Sequence, residues 1–131
     1  MSGCYQELKV WKKSMELTLV VYRTTQKFPD REIYSLTNQM RRAAVSIPSN
    51  IAEGKGKSSD RELTVFLCHA RGSLYELETQ TLIARDLGYL ETQVAKNLEN
   101  MVAETGKMLN GLINSLRENP ALRSSRNANA N

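Results

Sequence analysis

The stretch Met40–Glu62, MRRAAVSIPSNIAEGKGKSSDRE, decides the fold of this chain. Its apolar residues recur every three or four positions, at Met40, Ala43, Ile47 and Ile51. This spacing is typical of one face of a helix, and Leu36 extends it backwards. Pro48 stands inside the pattern. Because proline has no amide hydrogen and crowds the carbonyl four residues before it, we expect a kink in this second helix at Pro48.

The end of the same stretch predicts a turn between two helices. Gly54 and Gly56 end the second helix, and the run Ser58–Asp60 is a typical start for a third. Glu62 is placed to complete a capping box. The apolar face of the third helix continues to about Leu87: Leu63, Phe66, Leu67, Ala70, Leu74, Leu77 and Ala84. Gly88 follows as a plausible C-cap.

Apolar spacing predicts two further helices, one on each side of this pair. The first runs from about Glu7 to Gln26, before Pro29, and carries two neighbouring stripes. They are Leu8, Trp11, Met15, Leu19 and Tyr22, and beside them Val10, Leu17 and Val21. The last runs from about Glu91 to Leu116. We expect its inner face to comprise Val94, Leu98, Met101, Thr105, Met108, Leu112 and Leu116.

Four helices joined by short turns predict an all-α fold, an antiparallel up-down four-helix bundle. The bundle domain is expected to occupy residues 1–117. Residues 118–131, rich in Asn, Ala, Ser and Arg without a period, are expected to form a disordered tail.

Composition limits the class of protein. The 131 residues suit one domain, and the net charge of +4 permits nucleic acid as a partner without requiring it. The two cysteines, Cys4 and Cys68, do not form a disulfide framework. The sequence has no export signal and no apolar run long enough for a bilayer, so we expect a cytoplasmic protein without a membrane partner.

Residues for catalysis or metal binding are few. The single histidine, His69, follows Cys68, and adjacent helix positions point about 100° apart, so the two do not chelate one ion simply. Ser46, Ser49 and Ser73 are nucleophile candidates by residue type alone. We therefore expect no metal, no cofactor and no enzymatic activity.

Polar residues between the middle helices are expected to pair with one another. Asn50, Glu53, Glu76 and Glu78 form this predicted structural polar cluster, with Arg41, Arg42 or Arg71 as partners for the carboxylates. Buried charge without a partner is costly, which favours such pairing over a catalytic acid.

The basic residues offer a second possibility. From Arg31 to Arg71 there are seven basic and four acidic residues. Lys55, Lys57 and Arg61 stand on a glycine-containing turn that enters a helix N-terminus, where anions are favoured. This turn is either a site for nucleic-acid phosphates or an ordinary solvated turn. Because the aromatic residues mostly fall in core stripes, we expect backbone contact rather than base stacking.

Four stretches resemble a known family. LTNQMRRAAVSIPSNIAEGKGK (36–57) resembles the signature of the bacterial four-helix bundle proteins encoded within intervening sequences of 23S ribosomal RNA genes. LKVWKKSMELTLVVY (8–22), FLCHARGSLYELETQ (66–80) and GKMLNGLINSL (106–116) are similar to its other helices. The resemblance spans about Leu8–Leu116. Lys57 departs from it, since an arginine is common there.

The resemblance implies a ring-like homopentamer without catalytic residues. The family is similar to the accessory protein of diversity-generating retroelements, whose basic surface engages a reverse transcriptase and nucleic acid. We therefore expect a non-enzymatic oligomer that contacts RNA or DNA through basic residues: Arg41, Arg42, Lys55, Lys57, Arg61 and Arg71. The alternative is a protein-interaction scaffold, such as an accessory subunit, with no nucleic-acid role.

Overall fold

A computed structural model describes residues 4–118, and within them the chain forms four α-helices and no β-strand. The helices are α1 (Lys9–Thr25), α2 (Leu36–Lys55), α3 (Asp60–Asp86) and α4 (Thr92–Arg117). Short 3-10 turns, Tyr5–Glu7 and Asp30–Glu32, precede α1 and α2. The all-α prediction is confirmed. The tail predicted for residues 118–131 lies, apart from Glu118, outside the described residues.

Each helix packs against two neighbours, in the cyclic order α1, α2, α3, α4. Two seams, α1–α2 and α3–α4, each have two contacts that show the relative direction of their helices. On the α1–α2 seam, Thr18 contacts Ala44, whereas the later Thr25 contacts the earlier Arg41. The α3–α4 seam shows the same reversal: Arg71 with Asn110, and Arg85 with Glu99. Within each of these two pairs, the helices therefore run in opposite directions.

The ends of α3 follow their sequence signals. The Ser59 hydroxyl accepts a hydrogen bond from the Glu62 amide at 3.1 Å, as a capping residue should. At the other end Gly88 has φ +80°, a left-handed conformation in which a side chain is strained. There the Tyr89 amide donates to the Ala84 carbonyl at 2.9 Å. The predicted N-cap cluster is confirmed at Ser59, whereas the C-cap is Leu87 and Gly88 follows it.

The predicted core of α2 and α3 is confirmed, whereas that of α1 and α4 is partly wrong. Every apolar position predicted for α2 and α3 is buried, except the half-buried Phe66. In α1 the second stripe forms the core, while Met15, Leu19 and Tyr22 of the first are 36%, 49% and 39% exposed. In α4 the core face is rotated: Ala95, Leu98, Val102, Thr105, Leu109 and Ile113. Both helices carry more apolar residues than one buried face needs. Spacing alone therefore predicted the wrong residues as the core of α1 and α4.

α2 continues through Pro48 without ending. Because residue 48 has no amide hydrogen, the Ala44 carbonyl loses its usual partner within the helix. The Thr18 hydroxyl of α1 supplies a donor to this carbonyl at 3.1 Å and shares its hydrogen with the Ser14 carbonyl at 2.8 Å. Thr18 is buried, so the proline is accommodated by a contact between helices. The kink itself stays a prediction.

α2 and α3 approach closely at Gly54. A Cβ atom there would lie 2.7 Å from the Phe66 Cβ and 3.1 Å from the Leu63 Cδ1. Neither distance is tolerated by rigid neighbours. Glycine is therefore required by the spacing of the two helices, although its backbone is helical.

Candidate nucleic-acid interface

The middle of the α2–α3 seam holds a small polar cluster. The Asn50 amide nitrogen donates to the Ser46 carbonyl at 2.8 Å and to the Ser46 hydroxyl at 2.9 Å. The Ser73 hydroxyl of α3 donates to the Ser46 hydroxyl oxygen at 2.8 Å. Asn50 thus has the structural polar role predicted for it, with serines as its partners. Ser46 and Ser73, weighed above as nucleophiles, serve here to join two helices.

The three acidic residues predicted for that cluster do not join it. Glu53, Glu76 and Glu78 are exposed, and their carboxylates make no hydrogen bond or ion pair with the described residues. Positions two apart on a helix point about 200° from each other, so Glu76 and Glu78 face different sides of α3. The side chain of Arg71, one of the three arginines expected as partners, turns towards α4 instead.

Arg41 is occupied at the end of α1. Its Nε donates to the Thr25 hydroxyl at 2.9 Å, and its Nη2 donates to the Tyr22 carbonyl at 3.4 Å. The guanidinium carbon lies 4.9 Å from the centre of the Tyr22 ring, a cation–π distance. Arg41 therefore holds the last turn of α1 against α2.

Arg71 is occupied on the opposite side of the bundle. Its Nη1 donates to the Asn110 side-chain oxygen of α4 at 3.0 Å. Its Nη2 lies 3.8 Å from the Cys68 sulfur, which Arg117 also approaches, at 3.7 Å. Arg71 therefore joins α3 to α4.

Three of the six predicted basic residues lie together, on the turn between α2 and α3. Lys55 ends α2 and is half-buried, whereas Lys57 and Arg61 are exposed. The Lys57 ammonium nitrogen lies 5.2 Å from the centre of the Phe66 ring, which steadies its side chain over α3. Ser59 caps α3 beside them. We name Lys55, Lys57 and Arg61 the basic turn.

Arg42, the sixth residue, is exposed and lies away from the basic turn, on the wall of a groove between α2 and α3. The most exposed aromatic residue, Tyr34, lines the same groove with 93% of its surface accessible. The expectation that tyrosines mostly fall in the core is wrong, since Tyr5, Tyr22 and Tyr75 are exposed as well. The sequence did contain a signal for the exposure of Tyr34, because this residue precedes α2 and belongs to no apolar stripe.

Glu32 orders the start of α2, a role that sequence reasoning missed. Its Oε2 accepts from the Leu36 amide at 3.2 Å and from the Ser35 hydroxyl at 3.1 Å, and its Oε1 accepts from the Tyr89 hydroxyl at 3.1 Å. The bond from the Leu36 amide is the main reason that the pKa of Glu32 lies below its ordinary value. Glu32 thus fixes α2 to the turn that follows α3.

An ion pair links α1 to α4. The Lys13 ammonium lies 2.7 Å from a Glu104 oxygen and 3.7 Å from a Glu16 oxygen. The hydrogen bond between Lys13 and Glu104 raises the pKa of Lys13 and lowers that of Glu104. The pair lies at the surface and is subject to screening by salt.

Within residues 4–118 no group of three or more His, Cys, Asp or Glu side chains is arranged to hold a metal ion. His69 is exposed, with its ring centre 5.8 Å from that of Phe66.

None of the helices in the described range has the length and apolar character needed to cross a membrane.

The fold and the basic turn define the class of protein. It is an all-α bundle whose candidate binding residues cluster on one turn and are positively charged. The family model described as 23S rRNA-intervening sequence protein matches residues 6–111, and the chain belongs to this family.

Among solved structures, a protein of unknown function from the S23 ribosomal protein family of Bacteroides thetaiotaomicron has the same fold. The TM-score is 0.72 at 21% sequence identity, and the match covers 79% of this chain and 97% of that chain. No curated protein sequence matches the chain at a significant level.

Proposed function

We propose that this protein is a non-enzymatic, homo-oligomeric bundle, a ring-like pentamer, that contacts the phosphate backbone of RNA or DNA in the cytoplasm. The observation that carries the proposal is the basic turn, where Lys55, Lys57 and Arg61 lie on one connection. Membership of the 23S rRNA-intervening sequence family is consistent with an RNA-related role.

The chemistry of the basic turn suits phosphate. Lysine and arginine neutralise phosphates and release counterions, which drives association without sequence preference. The first turn of α3 already carries Asp60 and Glu62, and Ser59 caps it, so the phosphate contacts would come from the cations rather than from the helix end. Arg41 and Arg71 do not contribute to this site, because they lie away from the turn, against α1 and α4. The site therefore has three cations per subunit.

Oligomerisation is supported by the outer face of α1. Met15, Leu19 and Tyr22 lie on one side of the helix and are exposed in the single chain. An exposed apolar stripe of this kind is typical of a surface between subunits. A ring would repeat the basic turn around its axis, and several weak phosphate contacts would then act together through a high effective concentration.

The alternative function is an interaction scaffold without nucleic acid, for example an accessory subunit of a reverse transcriptase. The same apolar stripe of α1 favours it, because Met15 and Leu19 suit a protein partner as well as another copy.

A salt titration of strand binding separates the two functions. We expect the full chain to bind single-stranded and double-stranded oligonucleotides, with affinity falling about tenfold or more between roughly 50 and 200 mM salt. Replacing Lys55, Lys57 and Arg61 by Ala weakens this binding. The matched control replaces Arg23, Lys27 and Lys96, three exposed cations at the other end of the bundle. It removes the same charge and should bind much better than the turn variant.

No binding at low salt would reject the nucleic-acid function and favour the scaffold. Sedimentation of the same samples tests the assembly. A pentamer is expected, and a monomer at micromolar concentration would contradict the oligomeric part of the proposal.

A further inference from the structure

The α2–α3 seam opens into two adjoining depressions at the end opposite the basic turn. The first, of about 610 Å³, is lined by Tyr34 and Arg42, and the second, of about 510 Å³, by Tyr75. Gln39, Glu76 and Gln80 line both, so the depressions form one continuous surface, which we name the tyrosine groove. Arg42 lies 13 residues before Lys55, about 20 Å along the axis of α2.

The wall of the tyrosine groove offers hydrogen bonds that the protein does not use. The Gln80 side-chain oxygen is buried and accepts no hydrogen bond from the described residues. Because this oxygen is inaccessible to solvent, it becomes a partner for an incoming N–H group only when the Gln80 side chain turns towards the groove. Asn38 and Gln39 add exposed amide groups, each of which both donates and accepts. This pattern matches the edges of nucleobases.

The exposed rings supply the second requirement for binding a base. Tyr34 is 93% exposed on the first depression, and Tyr75 is 51% exposed on the second. Unpaired bases stack on tyrosine rings largely regardless of sequence. A duplex keeps its bases stacked inside, so these rings suit single strands.

The charged residues that line the tyrosine groove favour the binding of a base over the binding of successive phosphates. Arg42 and Glu76 both line it, and neither forms an ion pair with the described residues. The Glu76 carboxylate would repel successive phosphates, whereas it can accept an amino proton of a base. Arg42 is free to contact one phosphate or to stack on a base. Mixed charge therefore favours a neutral, hydrogen-bonding ring inside the groove.

We infer that the tyrosine groove binds unpaired bases of a single-stranded nucleic acid whose backbone contacts the basic turn. This inference rests on the proposed function for the phosphate contacts, and it adds the class of ligand: single strands with bases, in preference to duplexes. The chain would then hold a strand by two kinds of contact on one helical hairpin, charge at the turn and stacking at the groove.

Fluorescence anisotropy with two labelled strands tests the inference. One is a mixed-sequence single-stranded oligonucleotide, and the other is an abasic strand of the same length and charge. We expect the full chain to bind the first about tenfold more tightly, and Tyr34→Ala to remove this preference without changing abasic binding. Tyr34→Phe keeps the ring and should bind as the wild type does. Because Tyr34 is exposed, the alanine variant should fold.

Three outcomes would overturn the inference. Equal binding of the two strands by the wild type would show that bases are not read. An unchanged preference in Tyr34→Ala would place the bases elsewhere, and a loss of the oligomer in that variant would make Tyr34 a subunit contact. In all three cases the effect of Lys55→Ala and Lys57→Ala would still report on the proposed function. If neither strand bound, both proposals would be rejected.

Discussion

The α2–α3 seam and the two seams of α1 differ in the contacts that hold the helices together. α2 and α3 meet closely at Gly54, where a Cβ atom would lie 2.7 Å from that of Phe66, and the hydroxyl contact of Ser73 with Ser46 adds to this packing. α1 also buries apolar residues, but polar contacts position it: Thr18 to Ala44 on one side and Lys13 to Glu104 on the other.

Both parts of the bundle keep apolar residues outside the core. On α3 these include Val65 and Ile83, which are 48% and 46% exposed. α1 is positioned by hydroxyl, guanidinium and ammonium groups, and it retains Met15, Leu19 and Tyr22 outside the core. α2 and α3 form the closely packed pair that carries the basic turn, while α1 leaves the stripe of Met15, Leu19 and Tyr22 exposed.

The largest effect on stability is expected at Gly54. Gly54→Ala forces its Cβ against Phe66 and Leu63, so we expect a loss of about 2 kcal/mol in the free energy of unfolding. Chemical denaturation measures it. Gly72→Ala is the matched control, because a Cβ at that exposed helical position meets nothing within 4 Å. It should stabilise α3 by about 0.5–1 kcal/mol. Equal effects of the two substitutions would contradict the close approach of α2 and α3 at Gly54.

The next effect is expected at the contact that accommodates Pro48. Thr18→Val removes the donor to the Ala44 carbonyl, leaving a buried acceptor unpaired at a cost of about 1–2 kcal/mol. Pro48→Ala restores an amide hydrogen for the same carbonyl. In a double-mutant cycle, Thr18→Val should therefore cost less in the Pro48→Ala background. Additive effects would show that Thr18 does not compensate for the proline.

A smaller effect on the free energy of unfolding is expected from Glu32 at acidic pH. Its pKa is lowered in the folded chain, so the stability it contributes is complete above its ordinary value of 4.5 and is lost as the pH falls through the lowered value. Glu32→Gln should flatten the acid limb of a plot of unfolding free energy against pH. Glu53→Gln is the control, since that exposed carboxylate has no hydrogen bond in the described chain. An identical acid limb in the wild type and Glu32→Gln would contradict the role of Glu32.

The smallest effect on the free energy of unfolding is expected from the ion pair between α1 and α4, at alkaline pH. The pKa of Lys13 is raised in the folded chain, so its contribution is complete below its ordinary value of 10.5 and is lost as the pH rises through the raised value. Lys13→Met should flatten this alkaline limb, and high salt should weaken the effect in the wild type. A stability of the wild type that does not depend on salt or alkaline pH would remove the ion pair from the account.

Much of the fold follows from the sequence, but less of the candidate site does. The core residues of α2 and α3 and the N-cap at Ser59 were predictable because spacing and local hydrogen bonds determine them. The core faces of α1 and α4 were not, since each helix has apolar residues on two sides. Choosing between the two faces requires the positions of the neighbouring helices.

The candidate site shows the same limit. The basic turn lies within seven residues, so its members stay together in any fold that turns there. Arg41 and Arg71 have partners 16 and 39 residues away, Thr25 and Asn110, and one-dimensional spacing does not reveal such pairs. The link between Thr18 and Pro48 is of the same kind.

The salt dependence of strand binding tests the central claim most directly. For a single strand, each phosphate contact contributes about 0.7 to the slope of log affinity against log salt. The variant in which Lys55, Lys57 and Arg61 are Ala should therefore have a slope about 2 units shallower than the wild type. The account predicts this change for the turn variant and a much smaller one for the Arg23, Lys27 and Lys96 control. Equal slopes in the wild type and the turn variant would contradict it.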